Sequence, residues 1–315
     1  MTVLACDMGG TRIKAAVVSG GKLLACDGIN AHSERGLRER LPALADLFRR
    51  LCEMSGTKIS DCAGVSVCFP SVVNPITGRV LDEYGKYGDA PQIDLRTWAR
   101  EELGLPLAIE NDARMALIGE WRHGAARHFE DVAMVTLGTG IGTAILSEGR
   151  IVRGKHGQAA ILCGHLTVRA GGRLCRCGNV GCAETEASTA ILPQLARERT
   201  DFEGSALSKL AVLDYAAVFQ HAAAGDPCAK GLRDHSLQVW SSVVVNLIHA
   251  FDPEIVIMGG GIMASAGAIL PAVRDYVKRH ARTPWGAVRI EPSELGDQAA
   301  LVAAEWLVQE QLPYN

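Results

Sequence analysis

Ala16-Val17-Val18-Ser19-Gly20-Gly21-Lys22-Leu23 is matched 128 residues later by Ala144-Ile145-Leu146-Ser147-Glu148-Gly149-Arg150-Ile151. Each copy is the end of an apolar strand, a polar turn and the start of a returning strand. The likeness extends upstream. Thr2 to Cys6 is a short apolar strand running into Asp7-Met8-Gly9-Gly10-Thr11, and Ile13 to Val18 is the next strand. Val132 to Leu137 is likewise a strand, followed by Gly138-Thr139-Gly140-Ile141-Gly142-Thr143, so that Gly10 falls on Gly138. A unit of strand, glycine turn and hairpin used twice in 315 residues points to two α/β lobes. Glycine turns let a backbone approach a phosphate closely and aim its N–H groups at it. Either turn alone reads as an ordinary turn; two facing each other read as a nucleotide clamp. Beside the first, Asp7 is placed to hold Mg2+ through its water shell, with the Thr11 hydroxyl and the Lys14 cation nearby.

Between and beyond these cycles the chain alternates helical and strand patterns. Leu37, Leu41, Leu44, Leu47, Phe48 and Leu51 form a packing face over residues 36–54. Ala63 to Phe69 reads as a buried strand. Leu105 to Ile109 reads as another, ending in Glu110-Asn111-Asp112-Ala113-Arg114, where a helix through Trp121 begins. Asn or Asp at a helix start is usually a cap. The functional alternative is that Asp112 accepts a proton from a substrate hydroxyl. Glu83-Tyr84-Gly85-Lys86-Tyr87-Gly88-Asp89 reads as a surface loop, and its mixed aromatic and charged groups also suit contact with a polyol. The region from Thr185 to His249 is mostly helical, broken at Gly225-Asp226-Pro227, where Asp226-Pro227 suits a helix start. Glu254 to Met258 is a strand leading into Gly259-Gly260-Gly261 and a helix from Ile262. Three glycines there let a flat ring or a phosphate sit against the backbone. A last helix starts at Gly296-Asp297.

A second signal is Leu162-Cys163-Gly164-His165, followed by Cys175-Arg176-Cys177-Gly178-Asn179-Val180-Gly181-Cys182-Ala183-Glu184. One imidazole and three thiolates at this spacing suit a tetrahedral zinc with no open position, which is a structural site. Cys175 and Cys177 are separated by one residue, which is not the spacing of a thioredoxin-like redox pair. The other cysteines (Cys6, Cys26, Cys52, Cys62, Cys68, Cys163 and Cys228) are scattered and read as small buried hydrophobes in a reducing compartment.

Composition narrows the function classes. The chain is 48% hydrophobic, enough for a full core, and carries a formal net charge of -3. No basic excess points to nucleic acid. Met1-Thr2-Val3-Leu4-Ala5-Cys6 is broken at once by Asp7, so no secretory leader is expected, and no apolar run reaches the length of a membrane span. The expected compartment is the cytoplasm.

Together the motifs resemble the ROK family of sugar kinases, within the sugar kinase and actin-like ATPase superfamily. The resemblance runs from Asp7 to the last glycine turn and is carried by Asp7-Met8-Gly9-Gly10-Thr11, Asn111-Asp112, Gly138-Thr139-Gly140-Ile141-Gly142, the Cys-x-Cys-Gly-x-x-Gly-Cys-x-Glu run at 175–184 and Gly259-Gly260-Gly261. It implies an α/β, two-lobed actin-like ATPase (ribonuclease H-like) fold with a nucleotide and sugar cleft between the lobes. The N-terminal lobe is expected over residues 1–117, joined by a C-terminal helix over 297–315. The C-terminal lobe with the zinc loop is expected over residues 118–296. ATP, Mg2+ and a structural Zn2+ are implied, as are a sugar substrate and a homodimer without nucleic-acid or membrane partners. Asp7, Gly9, Gly10, Thr11 and Lys14 would serve the first phosphate turn. Gly138, Thr139, Gly140 and Gly142 would serve the second, and Gly259, Gly260 and Gly261 would pack against adenosine. Asp112 would be the general base, while Asn111, His165 and Glu184 would face the sugar; the loop residues Glu83, Tyr84 and Lys86 are candidates from their own chemistry, as substitutes for a contact the family usually makes near residue 162. His165, Cys175, Cys177 and Cys182 would bind the zinc. The family also contains repressors with an added N-terminal helix-turn-helix. This chain starts directly at its first strand, which argues for a kinase over a repressor, and the intact Asp7, Asp112 and glycine turns favour a kinase acting on O6 of a hexose over a silent sugar sensor. One residue departs from the pattern. Leu162 stands where the family usually has a sugar-binding Glu, and a leucine leaves a facing hydroxyl unpaired at a cost of about 1–3 kcal/mol.

Overall fold

The computed structural model describes residues 1–82 and 85–312. The chain divides into two compact units. Unit 1 holds Met1–His128, Arg153–Ala159 and Leu295–Asn315, and unit 2 holds Phe129–Val152 and Ala160–Glu294.

In unit 1 the strands are β1 (Thr2–Met8), β2 (Arg12–Ser19), β3 (Lys22–Asn30), β4 (Val65–Phe69), a short ribbon of β5 (Val73–Asn74) and β6 (Arg79–Val80), and β7 (Leu107–Asn111). The main sheet runs in the order β3-β2-β1-β4-β7. β1, β2 and β3 pair antiparallel, while β1, β4 and β7 pair parallel. Every residue of β4 and β7 is buried, as expected of parallel strands covered on both faces, whereas the edge strand β3 is largely exposed. Helix α1 (Leu41–Ser55) buries Leu44, Leu47, Phe48 and Leu51 and stops at Gly56, whose φ of 66° suits a residue without a side chain. It begins later than the apolar periodicity suggests because Pro42 is tolerated only in a first turn; Leu37 reaches the core from the preceding turn. Helix α2 (Leu95–Leu103) follows, then α3 (Asp112–His123) directly after β7.

Unit 2 repeats the plan. β8 (Val132–Leu137), β9 (Ile141–Ser147), β10 (Arg150–Ile151), β11 (Ile255–Gly259) and β12 (Arg289–Pro292) lie in the order β10-β9-β8-β11-β12. The hairpin pairs are antiparallel and β8, β11 and β12 are parallel, so the repeat read from the sequence is a repeat of strand order. Short helices α4 (Ala183–Ala187) and α5 (Leu192–Arg197) precede α6 (Tyr215–Ala223) and the long α7 (Pro227–Phe251). Asp226 caps α7 by accepting from the Ala229 N–H at 3.0 Å. Trp240 of α7 fills the middle of this core, donating from Nε1 to the Ala187 carbonyl at 2.9 Å and packing edge-on against Tyr215 at 4.9 Å. Helix α8 (Ala266–His280) begins four residues after Ile262, because a 3₁₀ turn over Gly261–Ser265 intervenes. Six of the seven scattered cysteines are buried; Cys26, on the edge strand β3, is exposed.

The chain ends in unit 1 with α9 (Ala299–Val302) and α10 (Ala304–Gln311). A side chain on Gly119 of α3 would meet the Ala299 carbonyl oxygen at 2.1 Å, so α3 lies directly on the backbone of α9. The whole of α3 therefore belongs to unit 1, and the division falls after His128, beyond the 117/118 boundary read from the sequence. Gln311 completes the edge of β7: its amide accepts from the Ile109 N–H at 3.1 Å and donates to the Ile109 carbonyl at 3.0 Å.

Glu110, fully buried in β7, takes hydrogen bonds from Arg114 Nη1 at 3.1 Å, Arg153 Nε at 2.7 Å and the Asn111 N–H at 2.9 Å. Arg114, also fully buried, donates further to the carbonyls of Gly157 at 3.0 Å and Ala159 at 2.7 Å. Removing one partner of a buried pair leaves the other charge uncompensated, at about 3–5 kcal/mol. Glu110→Ala is therefore expected to lower unfolding stability by about that amount in urea titrations. A loss under about 1 kcal/mol, the range of an exposed pair, would contradict the buried geometry.

Candidate active site

Two groups of residues take the positions singled out in the sequence, one in each unit. In unit 1, the Gly9-Gly10-Thr11 turn joins β1 to β2. Among the described residues, the N–H groups of these three residues have no protein partner, and their carbonyls are tied down instead. Tyr87 donates from its hydroxyl to the Gly9 carbonyl at 2.7 Å, Ser33 from its hydroxyl to the Gly10 carbonyl at 2.8 Å, and the Ala31 N–H to the Thr11 carbonyl at 2.9 Å. Three free amides on a fixed turn suit an anion. Asp7, at the end of β1, accepts from the Cys68 thiol at 3.3 Å, and desolvation pushes its carboxyl above the usual range. Lys14 is drawn to Asp297 at 2.7 Å, so its charge is already partnered.

Asn111 and Asp112 separate the two roles that the sequence left open. Asn111 is the cap of α3, its side-chain oxygen accepting from the N–H groups of Ala113 at 3.0 Å and Arg114 at 3.3 Å. Its amide group donates to the Ser71 carbonyl at 3.2 Å and to Asp112 Oδ1 at 2.9 Å. Both hydrogens and both lone pairs are thus used inside the protein, and a sugar hydroxyl would have to replace one of these bonds. Asp112 is free of the capping duty. Oδ1 accepts from Asn111 and from the Ala113 N–H at 2.9 Å, and among the described residues Oδ2 has no partner. The residue has solvent-exposed surface, yet it is crowded enough that desolvation raises its pKa to about 6, with Lys86 opposing and Asp7 adding to the rise. A carboxylate with a reachable oxygen and a pKa near neutrality has the properties of a general base.

In unit 2, Gly138 donates to the Gly140 carbonyl at 3.0 Å, and the Ile141 N–H donates to Glu184 Oε2 at 3.0 Å. The N–H groups of Thr139 and Gly140 stay without a protein partner among the described residues, while Gly142 lies inside β9 opposite Thr136. A side chain on Gly140 would strike Glu184 Oε2 at 2.3 Å. Of the glycine triplet, Gly259 is closed by Met134 and Ser293, and Gly260, at φ 90°, by the Leu137 backbone; only Gly261 faces open space. Close packing explains the first two glycines, and an open backbone face for a ring remains only at the third.

His165, Cys175, Cys177 and Cys182 come together, with one ligand atom from each within 4.8 Å of the others. Tetrahedral zinc with Zn–S near 2.3 Å sets thiolates about 3.8 Å apart. Cys177 and Cys182 sulfurs are 3.7 Å apart, and the Cys175 sulfur is 3.4 Å from His165 Nδ1. The donor set therefore fits the metal, with Nδ1 as the imidazole ligand. His165 Nε2 faces Glu184 Oε1 instead, 4.0 Å away. Gly164 has to be glycine, since a side chain there would meet the Ile141 carbonyl at 2.0 Å. Leu162 is half-buried just before this turn. Glu83 and Tyr84 lie outside the described residues.

Two groups near these sites were not legible in advance, and a third, Lys86, was expected only as a contact to a polyol. Glu186, fully buried in α4, holds the stem of the cysteine loop through the Arg173 N–H at 3.2 Å, Arg173 Nη1 at 2.9 Å and Arg169 Nη1 at 3.5 Å. Its signal was a second acid, two residues after Glu184, in an otherwise small-residue helix. Glu110 with Arg114 announced itself only as an acid and a base four apart across a strand-to-helix junction. Lys86 lies against Gly10.

The donor set carries its own measurement. Elemental analysis of the purified chain is expected to give about one zinc per chain, and stripping it should lower the melting temperature, as for other closed sites. Metal-free protein with an unchanged melting temperature would remove the structural role.

No helix among the described residues is long and apolar enough to cross a membrane. The ROK family's sequence model matches residues 3–311. The glucokinase of Halalkalibacterium halodurans is 32% identical over 97% of this chain and 94% of its own length. A ROK family glucokinase from Streptomyces griseus, solved in complex with glucose and AMPPNP, superposes with a TM-score of 0.81 at 28% identity, covering 98% of this chain and all of that one (100%). The ROK hexokinase of Thermus thermophilus superposes with a TM-score of 0.79 at 30% identity over 98% of this chain and 99% of its own. These structures have the two-lobed actin-like ATPase fold that the resemblance implied. With motifs, strand order and near full-length similarity in agreement, the chain belongs to the ROK family.

Proposed function

We propose that this protein transfers the γ-phosphoryl group of ATP to O6 of a hexose or hexose derivative. The coarser part stands plainly: the chain is an ATP-dependent carbohydrate kinase, similar along nearly its whole length to glucokinases. The observation that carries the finer reading is Asp112, with Oδ2 free and a pKa raised to about 6, in the same unit as a turn with three unpaired amides. In the proposed step the sugar oxygen forms a bond to the γ-phosphorus as the bond to the β,γ-bridging oxygen breaks. The hydroxyl proton passes to Asp112 Oδ2, and ADP leaves. Bound Mg2+ would supply charge neutralisation on the phosphates, and Asp7 is the residue that would help hold it. The free amides of Gly9 to Thr11 and of Thr139 and Gly140 hold phosphate oxygens. Gly261 offers its backbone face to adenosine, and Glu184 and His165 form part of the sugar-binding wall, braced by the zinc.

Leu162 favours a second reading, a silent sugar sensor. It stands where a carboxylate is expected to take the sugar's reducing-end hydroxyls, and it accepts no hydrogen bond. The sugar is thus the open variable, and a hexose lacking or masking a hydroxyl at that end fits a leucine better than free glucose does.

ADP release measured over a panel of hexoses, amino sugars and glycosides tests class and substrate together. Turnover with at least one sugar is expected; binding without ADP release for every sugar would establish the sensor. Asp112→Asn is expected to keep the melting temperature while lowering kcat by about 10²–10⁴-fold, the usual contribution of a general base. Because the base works only when deprotonated, kcat should fall as pH drops through about 6 and level off above it. A rate independent of pH from 5 to 8 would remove Asp112 from that role.

A further inference from the structure

Lys86 is a cation that no motif assigns. A side chain built on Gly10 would find Lys86 Cε at 3.0 Å, Cδ at 3.2 Å and Nζ at 3.6 Å, so the lysine is laid along the first glycine turn with its ammonium beside it. The next residue holds it there. Tyr87 is fully buried and takes a left-handed backbone, φ 55°, which a side-chain-bearing residue adopts only when its surroundings enforce it. Those surroundings are the Tyr87 hydroxyl on the Gly9 carbonyl at 2.7 Å, the Tyr87 N–H on the Ser33 carbonyl at 2.9 Å, and the ring against Phe69 at 5.7 Å. The tyrosine and the turn are therefore one rigid piece, and Lys86 is fastened to it. Lys14, the cation the sequence suggested for this turn, is instead paired with Asp297 at 2.7 Å. Lys86 makes no hydrogen bond or ion pair among the described residues, and its charge is felt at both Asp7 and Asp112.

A turn with three unpaired amides and two carboxylates close by has a problem with a phosphate chain: the amides attract it and the carboxylates repel it. A fixed ammonium with three N–H donors offsets the repulsion. We propose that Lys86 is a further catalytic residue, donating hydrogen bonds from its ammonium to phosphate oxygens of ATP at the Gly9–Thr11 turn and to the γ-phosphoryl group in flight. It gives up no proton; the hydroxyl proton still goes to Asp112, the bond to the sugar oxygen forms and the β,γ bond breaks. This role rests on reading the turn as a phosphate site and the chain as a sugar kinase.

The test uses the full chain with Lys86→Met and Lys86→Arg, and reads kinetics, binding and melting temperature. With the best sugar of the panel, Lys86→Met is expected to lower kcat by about 10²–10³-fold, as for other lost transition-state donors, and to weaken ATP. The KM for sugar should stay within about twofold, and Lys86→Arg should recover part of the rate because it restores a cation. Calorimetric binding of ATP and adenosine separates this role from the kinase reading. Lys86→Met should weaken ATP at least tenfold and leave adenosine unchanged, even if no sugar were turned over. Equal ATP affinity in Lys86→Met and wild type would overturn the assignment. So would a loss confined to the KM for sugar, which would give Lys86 to the sugar, or a fall in melting temperature with no recovery in Lys86→Arg, which would leave it structural.

Discussion

The Glu110 carboxylate is the constraint on which unit 1 turns. It sits without solvent at the last but one position of β7, where a charge is expensive to bury unless it is fully paired. Its partners come from three places: the next peptide N–H, the first turns of α3, and the Arg153–Ala159 segment. Arg114 extends the network by holding the carbonyls of Gly157 and Ala159. Asn111 and Asp112 lie between Glu110 and Arg114 in the chain, so the ion pair clamps the short stretch that carries the cap and the carboxylate. Arg153 in turn reaches Glu310 of α10 with two bonds at 3.0 and 2.8 Å. A charged network deep in a lobe is weak evidence for high stability. It is better evidence for a fixed backbone path at the stretch that carries the proposed base.

Unit 2 brings together a cluster of one histidine and three cysteines suited to a metal, and close backbone contacts. Glu184 is held at one oxygen by the Ile141 N–H and faces His165 with the other. One side chain thus ties the second glycine turn and lies against the histidine, while Glu186 holds the stem of the cysteine loop. Gly140 and Gly164 are glycines because Glu184 and the Ile141 carbonyl occupy the space their side chains would need. In this lobe a glycine marks close approach within the protein as often as it marks an opening for a ligand, and Gly259 and Gly260 follow the same rule.

Much of the architecture was legible because it is local or repeated. The strands follow from apolar runs, the two cycles from their common pattern, and the start of α7 from Asp226-Pro227. The cysteine spacing picked out four residues that the fold brings together. What stayed hidden depends on partners far apart in the chain. The pairing of Lys14 with Asp297, 283 residues on, could not be read from the turn itself. That Asn111, expected to face the sugar, is also tied to the Ser71 carbonyl is not visible in its neighbours in the chain. Glu186 and Glu110 could be seen as acids in the sequence, but not as buried ones, because burial is decided by Arg173 and Arg153 on other segments. Tyr87, with its backbone in a conformation few non-glycine residues adopt, left no local signature at all.

The interleaving of the two units has a consequence for how the protein is made. The chain passes between them four times, so neither is a contiguous stretch. Unit 1 begins the sequence but needs residues 153–159 and the helices after residue 295, including Gln311 at the edge of β7. During synthesis the first sheet would emerge with that edge still open. It would have to wait through the whole of unit 2 before α10 arrives. Domains normally fold in the order in which they are translated. Here the lobe that starts the chain is the one that finishes last, and its exposed strand edge is the surface a chaperone would need to shield in the interval.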